Sequence, residues 1–412
     1  MTVERGSTHT VEVTKIVHGG FGLARLDGQV LFIPGSAPGD VVDVLITDVK
    51  KSHAFADVIA VVSSSPHRVD HIWPEADVTR EPHNRVGGAD FGHLRLDYQR
   101  QAKTGVIREA LARQGSVDPE WLENVPVQSA PGSQDGVGWR TRVSLHVNDQ
   151  GIAGQRAFHS HRVIPTTTLP LAHPDVENLG AHRQVWSGTD VLTLGCSSDG
   201  HSWVRKAHEP PENVTETVMG HTFRLDTDVF WQVHHAAPHV LTDAVIRAID
   251  WENFDSDAHN LDLYGGVGLF AVALAQHGDS EVSVTSVEGH KTASAFATGN
   301  LSSFASARAV AADVQKFVRR QVATLSDMDL ERFRRATVVL DPPRSGAGGQ
   351  VISDLVALRP QQIVYVACDP VAFARDQKHL SGLGYELRSV EAFDLFPHTH
   401  HVEMVASFSA PQ

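Results

Sequence analysis

"LDLYGGVGLFAVALA", residues 261–275, joins a short apolar run to a longer one through a glycine-rich turn. The first run reads as a strand and the second as a helix. Between them Gly265, Gly266 and Gly268 free the backbone to approach a ligand at the strand's carboxyl end. The spacing is not G-x-G-x-x-G, which gives a dinucleotide little support.

Outward from this turn, residues 226–412 alternate between strand and helix signals. A helix over 236–251 leads in, and strands are expected at 260–263, 282–287, 307–311, 337–340, 363–366 and 402–408, mostly separated by helical stretches. That βαβα rhythm predicts an α/β domain, a Rossmann-like doubly wound parallel sheet. Three of its strands end on an acid: Glu288 closes "VTSVE", Asp313 closes "AVAAD" and Asp341 follows "VVL". Glu288 lies twenty residues beyond Gly268, the separation at which an acidic side chain holds ribose hydroxyls. A nucleoside without phosphates suits the set, with Glu288 on the ribose and Asp313 on the adenine edge. S-adenosylmethionine is such a ligand, and its sulfonium favours nearby carboxylates.

The next strand, "QIVYVAC", ends on Cys368, one of only two cysteines in the 412 residues. Most free cysteines are small buried hydrophobes, and Cys196 in "LTLGCSSDG" is read that way. Cys368 sits at a strand's carboxyl end among acids, where a thiolate can serve as nucleophile. Methylation at carbon 5 of uracil needs one, because thiolate addition at carbon 6 pushes negative charge onto carbon 5. A base must then remove the hydrogen at carbon 5, and Glu403 in "FPHTHHVEMVASF" is the candidate. The histidines of that stretch, His398, His400 and His401, fit no standard zinc spacing, and no metal is assigned.

The amino-terminal part reads differently. Apolar runs at 11–17, 30–33, 41–46 and 54–62 are separated by "HGGFG", "LDGQ" and "PGSAPGD", which predicts an OB-like β-barrel over 1–64 followed by a linker at "SSSPHR". Residues 65–225 form a less periodic central α+β domain. Within it a helix is expected over 96–114, with Ala102, Val106, Ala110 and Leu111 inward and Arg100, Lys103, Arg108 and Arg113 on a solvated face. "WRTRVSLHV" (139–147) alternates strictly, placing Arg140 and Arg142 on the face opposite Trp139, Thr141, Val143 and Leu145. Composition sets bounds: 41% apolar, 20% charged and net charge −14 describe a globular chain, and broad nonspecific nucleic-acid binding is disfavoured while a local basic groove is not. No long apolar run or secretory h-region is read, and two cysteines fit a reducing compartment, so a cytoplasmic monomer without membrane contact is expected.

Taken with "FWQVHHAA" (230–237), "LDPPRSG" and "YVACDPVAFARD", the chain resembles the RNA 5-methyluridine methyltransferases along nearly its whole length, and the amino-terminal unit resembles their TRAM domain, an RNA-binding module. The resemblance implies that Gln232, Tyr264, Gly266, Glu288, Asp313 and Asp341 bind S-adenosylmethionine, that Cys368 is the nucleophile and Glu403 the proton acceptor. It implies a structured RNA partner, ribosomal or transfer, with the uridine pulled from its stack; Arg140 and Arg142, whose shared strand face suits phosphate contacts or plain solvation, and Arg344 are the candidate RNA contacts. The chain departs from the family pattern at Leu269, where Asn is frequent, and at Asp369, where Asn is commoner. Many relatives also carry four cysteines for a [4Fe–4S] cluster. Here Trp73, Val86, Ala89 and Leu169 stand near those positions, so no iron–sulfur cluster is expected and packing must hold the central domain. Two other readings are kept open. One is a methyltransferase for exocyclic amines or proteins, which needs no cysteine and usually carries an aromatic where Arg344 stands. The other is a non-catalytic RNA-binding protein that kept the fold.

Overall fold

The computed structural model describes residues 3–158, 160–278 and 281–411. Strands β1 (Thr8–Glu12), β2 (Lys15–Val17), β3 (Phe21–Leu26), β4 (Gln29–Ile33), β5 (Val41–Val49) and β6 (His53–Ser63) form one curled sheet in the order β1-β5-β6-β4-β3-β2. Alternate residues of β5 and β6, among them Val42, Val44, Ala54, Ala56 and Val58, are fully buried, which is the period a one-sided sheet requires. Three register shifts between β5 and β6 bend the sheet. The run expected as one strand over 11–17 is two, because the chain turns at Val13, whose N–H bonds the Asp40 carbonyl. The linker is not loose either. Arg68 pairs with the fully buried Asp40 at 2.6 Å, and the Ser65 N–H bonds the same carboxylate.

Helix Leu96–Arg113 and the short strand β7 (Val127–Ser129) follow. Then β8 (Arg142–Val147), β9 (Ala153–Arg156), β10 (Val163–Pro165), β11 (Val191–Cys196) and β12 (Ser202–Lys206) make a second sheet, ordered β10-β9-β8-β11-β12, and β13 (Asn213–Val218) pairs with β14 (His221–Asp226) as a hairpin. Trp73, Val86, Ala89 and Leu169, the residues at the expected cluster positions, are each 4% exposed or less and share one apolar cluster with Trp139 and Leu145. Packing therefore occupies the ground where relatives are expected to carry thiolates.

The carboxyl-terminal sheet contains β15 (Asn260–Leu263), β16 (Val284–Glu288), β17 (Ala307–Ala311), β18 (Thr337–Leu340), β19 (Gln362–Ala367), β20 (Glu386–Asp394) and β21 (Glu403–Ser409), ordered β17-β16-β15-β18-β19-β21-β20-β7. Only β21 runs antiparallel to its neighbours. The inner strands are buried on both faces: Ile363 and Tyr365 of β19 enter one apolar layer, Val364 and Val366 the other. The order reverses between β15 and β18, which opens a crevice at their carboxyl ends. β20 was not anticipated, since its sequence "ELRSVEAFD" begins half-exposed. The helix that leads in is shorter than expected, Ala237–Ala248.

Residues 96–129, placed with the central domain on sequence grounds, pack on this sheet. β7 pairs parallel with β20, and Ile107, Ala110, Leu111 and Val127 join its core. The helix buries Ala110 and Leu111 as expected, but its inward face is shifted and Ala102 and Val106 are only partly buried. Gln99, Lys103, Ile107, Ala110 and Leu111 are buried, and Lys103, expected in solvent, is 2% exposed. Its ammonium lies 2.5 Å from Asp394 and 3.0 Å from the Phe396 carbonyl, so a buried partner outweighs the polar character that suggested a wet face. Among the described residues no helix is long and apolar enough to cross a membrane.

Candidate active site

The glycine-rich turn is held from below by an acid that sequence reasoning passed over. Asp262 is fully buried on β15; it accepts from the Ser286 hydroxyl at 2.9 Å and from the Ala271 N–H at 3.2 Å, tying strand to helix. Burial pushes its carboxyl up to about 7. A side chain on Gly265 would run into that carboxylate and the Ser286 hydroxyl, so only glycine fits. Tyr264 takes a left-handed conformation (φ 62°) that is costly outside glycine, a strain characteristic of functional turns. Glu288 accepts the Gly266 N–H at 3.0 Å and the His290 N–H at 2.6 Å, which brings its carboxylate to the turn as the ribose reading requires. Asp313 is exposed and caps the next helix through the Lys316 N–H. Leu269, where Asn was the frequent residue, is buried in the first turn of its helix. Gln232 is 9% exposed beside the outward-facing Phe230.

Asp341 and Glu403 complete the acidic side of the crevice. Burial, with the Asp262 charge behind it, pushes Asp341 up to about 7. Burial and then Asp341 raise Glu403 well above the usual carboxylate range, while Arg344 pulls it back. Carboxyls gathered in this way favour a cation beside them, and a sulfonium is one. The residues around the turn therefore fit S-adenosylmethionine.

Cys368 lies just past β19. Glu403 opens β21, and because β21 runs antiparallel, with Ala367 opposite Met404, the start of one strand meets the end of the other. Burial pushes the Cys368 thiol up to about 12, and the charges of Glu403 and Asp341 add to the shift; Arg344 opposes it. Arg344 is in turn placed by two devices. Its guanidinium lies 2.9 Å from His401 Nε2, which burial keeps neutral by lowering its pKa to about 3, so the ring nitrogen accepts. Its loop is fixed by Asp376, which accepts the Ala347 N–H at 2.7 Å, the Gly348 N–H at 3.2 Å and the Tyr365 hydroxyl at 2.7 Å. The other histidines of "FPHTHH" have separate partners: His400 bonds Asp90 at 2.6 Å, and His398 bonds Gln99 and the Asp135 carbonyl. They are thus spread over three partners rather than converging on a shared point.

The three candidate RNA arginines divide. Arg140 lies close enough to Arg344 for the two charges to repel, its Nε bonds the Arg142 carbonyl, and it lines with Arg142 a cavity of the central domain separate from the one at Cys368. Arg142 points toward the Val229 carbonyl, Trp203, Glu216 and Asp226. The strict alternation of this strand holds, but Arg142 is largely spent on its own domain. Cys196 is buried with its thiol pushed up to about 12, first by burial. Among the described residues it forms with His173 and Asp175 a group whose ligand atoms lie within 4.8 Å of one another, compact enough to hold a cation.

Comparison with known proteins agrees with this geometry. The family model described as tRNA (Uracil-5-)-methyltransferase matches residues 214–409, and the TRAM domain matches residues 2–59. An uncharacterized RNA methyltransferase of Streptomyces avermitilis is 34% identical, covering 97% of this chain and 98% of its own. A 23S rRNA (uracil(1939)-C(5))-methyltransferase of Shewanella sediminis is 28% identical, covering 97% of this chain and 95% of its own. The crystal structure of Pyrococcus abyssi tRNA (uracil-54, C5)-methyltransferase with S-adenosyl-L-homocysteine superposes with a TM-score of 0.70 at 22% identity, covering 97% of this chain and 100% of that one. The chain belongs to the uracil-C5 RNA methyltransferase family, with a TRAM domain at its amino terminus.

Proposed function

We propose that this enzyme methylates carbon 5 of one uridine in a folded RNA through a covalent Cys368–uracil adduct. S-adenosylmethionine, when bound at the glycine-rich turn, supplies an electrophilic methyl group. The chain's own residues do the rest. The Cys368 thiol gives its proton to solvent, the thiolate sulfur adds to carbon 6 of the uracil, and the electron pair of the 5,6 double bond moves into an enolate, which makes carbon 5 nucleophilic. After methyl transfer carbon 5 carries both methyl and hydrogen. Glu403, as carboxylate, takes that hydrogen as a proton; the electrons of the C–H bond re-form the double bond and the sulfur leaves from carbon 6. Arg344, beside both groups, favours the thiolate and the enolate electrostatically.

One observation supports this reading: with β21 antiparallel to β19, Glu403 at the start of one and Cys368 just past the end of the other lie close enough for the carboxylate to act on the thiol. Exocyclic-amine transfer would use neither residue. The relatives' names include a 23S rRNA enzyme and a tRNA enzyme, so the RNA class is the open point, and a ribosomal or transfer RNA stem–loop is the proposed substrate. The curled amino-terminal sheet and Arg140 would hold it by stacking and phosphate contact. Mass-spectrometric mapping of 5-methyluridine in ribosomal and transfer RNA, with and without the gene, tests this. Loss of 5-methyluridine from one uridine is expected; an unchanged map would refute the activity.

A further inference from the structure

The catalytic cavity is shared between two domains. Its volume is about 210 Å³, and its wall is built from Cys368, Asp369, Arg344, His400 and His401 on one side and from residues 17–20, the β2–β3 turn of the TRAM sheet, on the other. The contact is close. A Cβ on Gly20 (φ 80°) would lie 2.9 Å from the Cβ of His400, so glycine is what lets the turn seat. His18 Nε2 lies 2.9 Å from Asp369 Oδ2, while Oδ1 of the same carboxylate caps the helix Pro370–Gly382 through the Val371 and Ala372 N–H groups at 3.0 and 2.8 Å. Asp369 is the position where relatives more often carry Asn. Asparagine can cap the helix with its oxygen but turns an uncharged amide toward His18; the carboxylate makes that contact charge-assisted. The pair raises the His18 pKa, first through the hydrogen bond.

The space has a chemical meaning. Cys368 lines this cavity, so the base it meets must enter here, and a uridine within RNA brings its ribose and two flanking phosphates with it. The backbone of the RNA keeps those groups toward the mouth, against residues 17–20 of the opposite wall. There the chain, at net charge −14, meets the polyanion with Asp369 in the cavity wall and Glu403 buried behind it. His18 stands at that mouth with 47% of its side chain exposed, and among the described residues no other hydrogen bond engages its ring.

We infer that His18 is a nucleotide-positioning residue: as the imidazolium, with Nε2–H donated to Asp369, it donates Nδ1–H to a phosphate flanking the target uridine, so the TRAM domain supplies part of the active site. The inference rests on the reading of Cys368 as the residue that meets the uracil. The test uses the full-length enzyme and a synthetic stem–loop carrying the mapped uridine, with each flanking phosphate replaced in turn by an uncharged methylphosphonate. On unmodified RNA, His18→Ala should raise KM for RNA about tenfold, with kcat and the cofactor KM nearly unchanged, the loss of one charge-assisted hydrogen bond. On one of the two methylphosphonate RNAs the wild-type enzyme should show the same loss, and His18→Ala should add little to it. Asp369→Asn, which keeps the helix cap, should reproduce part of the effect on unmodified RNA only. If His18→Ala costs the same factor on all three RNAs, or leaves KM unchanged, the inference falls while the methylation reading stands. If the wild-type enzyme forms no 5-methyluridine in any RNA, both fall.

Discussion

In the free enzyme Cys368 should be an unreactive thiol, and its reactivity should respond to its two charged neighbours with opposite signs. An ordinary thiol titrates near 9.0, whereas burial together with Glu403 and Asp341 pushes Cys368 up to about 12. Three pH units correspond to about 4 kcal/mol and to a thousandfold smaller thiolate fraction at neutral pH. The more basic thiolate is the better nucleophile; with a Brønsted slope of 0.4–0.5 it recovers about 1.2–1.5 of those three decades. The net rate with iodoacetamide should then be roughly 30–60-fold below that of an exposed cysteine at pH 7.5. Mass spectrometry of the Cys368 peptide after timed alkylation between pH 6.5 and 10 measures it. The rate should climb about tenfold per pH unit with no plateau in that range, as expected below a thiol's pKa. Glu403→Gln removes a negative neighbour and should speed the reaction; Arg344→Ala removes the positive one and should slow it. A plateau with a midpoint near that of an ordinary thiol, or two variants that move the rate the same way, would refute the electrostatic account. The consequence for function is that the nucleophile is kept protonated until a positive charge, such as the cofactor's sulfonium, is brought beside it.

The remaining expectations are more direct. RNA with 5-fluorouridine at the target should accept the methyl group and stay bound to Cys368, since fluorine cannot leave as a cation; Cys368→Ala should give neither product nor adduct, and Glu403→Gln should form the adduct and release it slowly, all visible on denaturing gels. S-adenosylmethionine should bind more tightly as pH rises through 7: the folded carboxyls of Asp341 and Asp262 are raised to about 7, a cation favours their ionised forms, and binding releases protons. Calorimetry at pH 6 and 8 in buffers of different ionisation enthalpy should show up to about a tenfold gain per group and unit of pH below 7, and flat affinity would remove these acids from the cofactor's field. Lys103→Met leaves Asp394 buried without its partner and should lower unfolding free energy by about 3–5 kcal/mol in denaturant melts, a loss a surface lysine would not show.

The sequence alone was enough for what the chain does locally. A central strand is mostly apolar, a glycine-rich turn follows it where backbone approaches a ligand, and an acid at the end of the adjacent strand lies within reach of that turn. Asn260–Leu263, Ala307–Ala311 and Thr337–Leu340 are strands at the expected bounds, and Glu288 reaches Gly266 as its spacing suggested. The strict alternation through Trp139 and Leu145 is equally local, and both are fully buried. Tertiary structure alone decided what depends on residues far apart in the chain. Glu403 meets Cys368 only because β21 runs against β19, a direction that apolar periodicity does not encode. Lys103 looked like one more charge on a wet helix face until Asp394, 291 residues later, arrived to neutralise it. Asp369 acquired a purpose only when His18, 351 residues earlier, was laid across the catalytic cavity. Local pattern measures whether a side chain prefers water, and a buried ion pair reverses that preference through a partner that no local pattern contains.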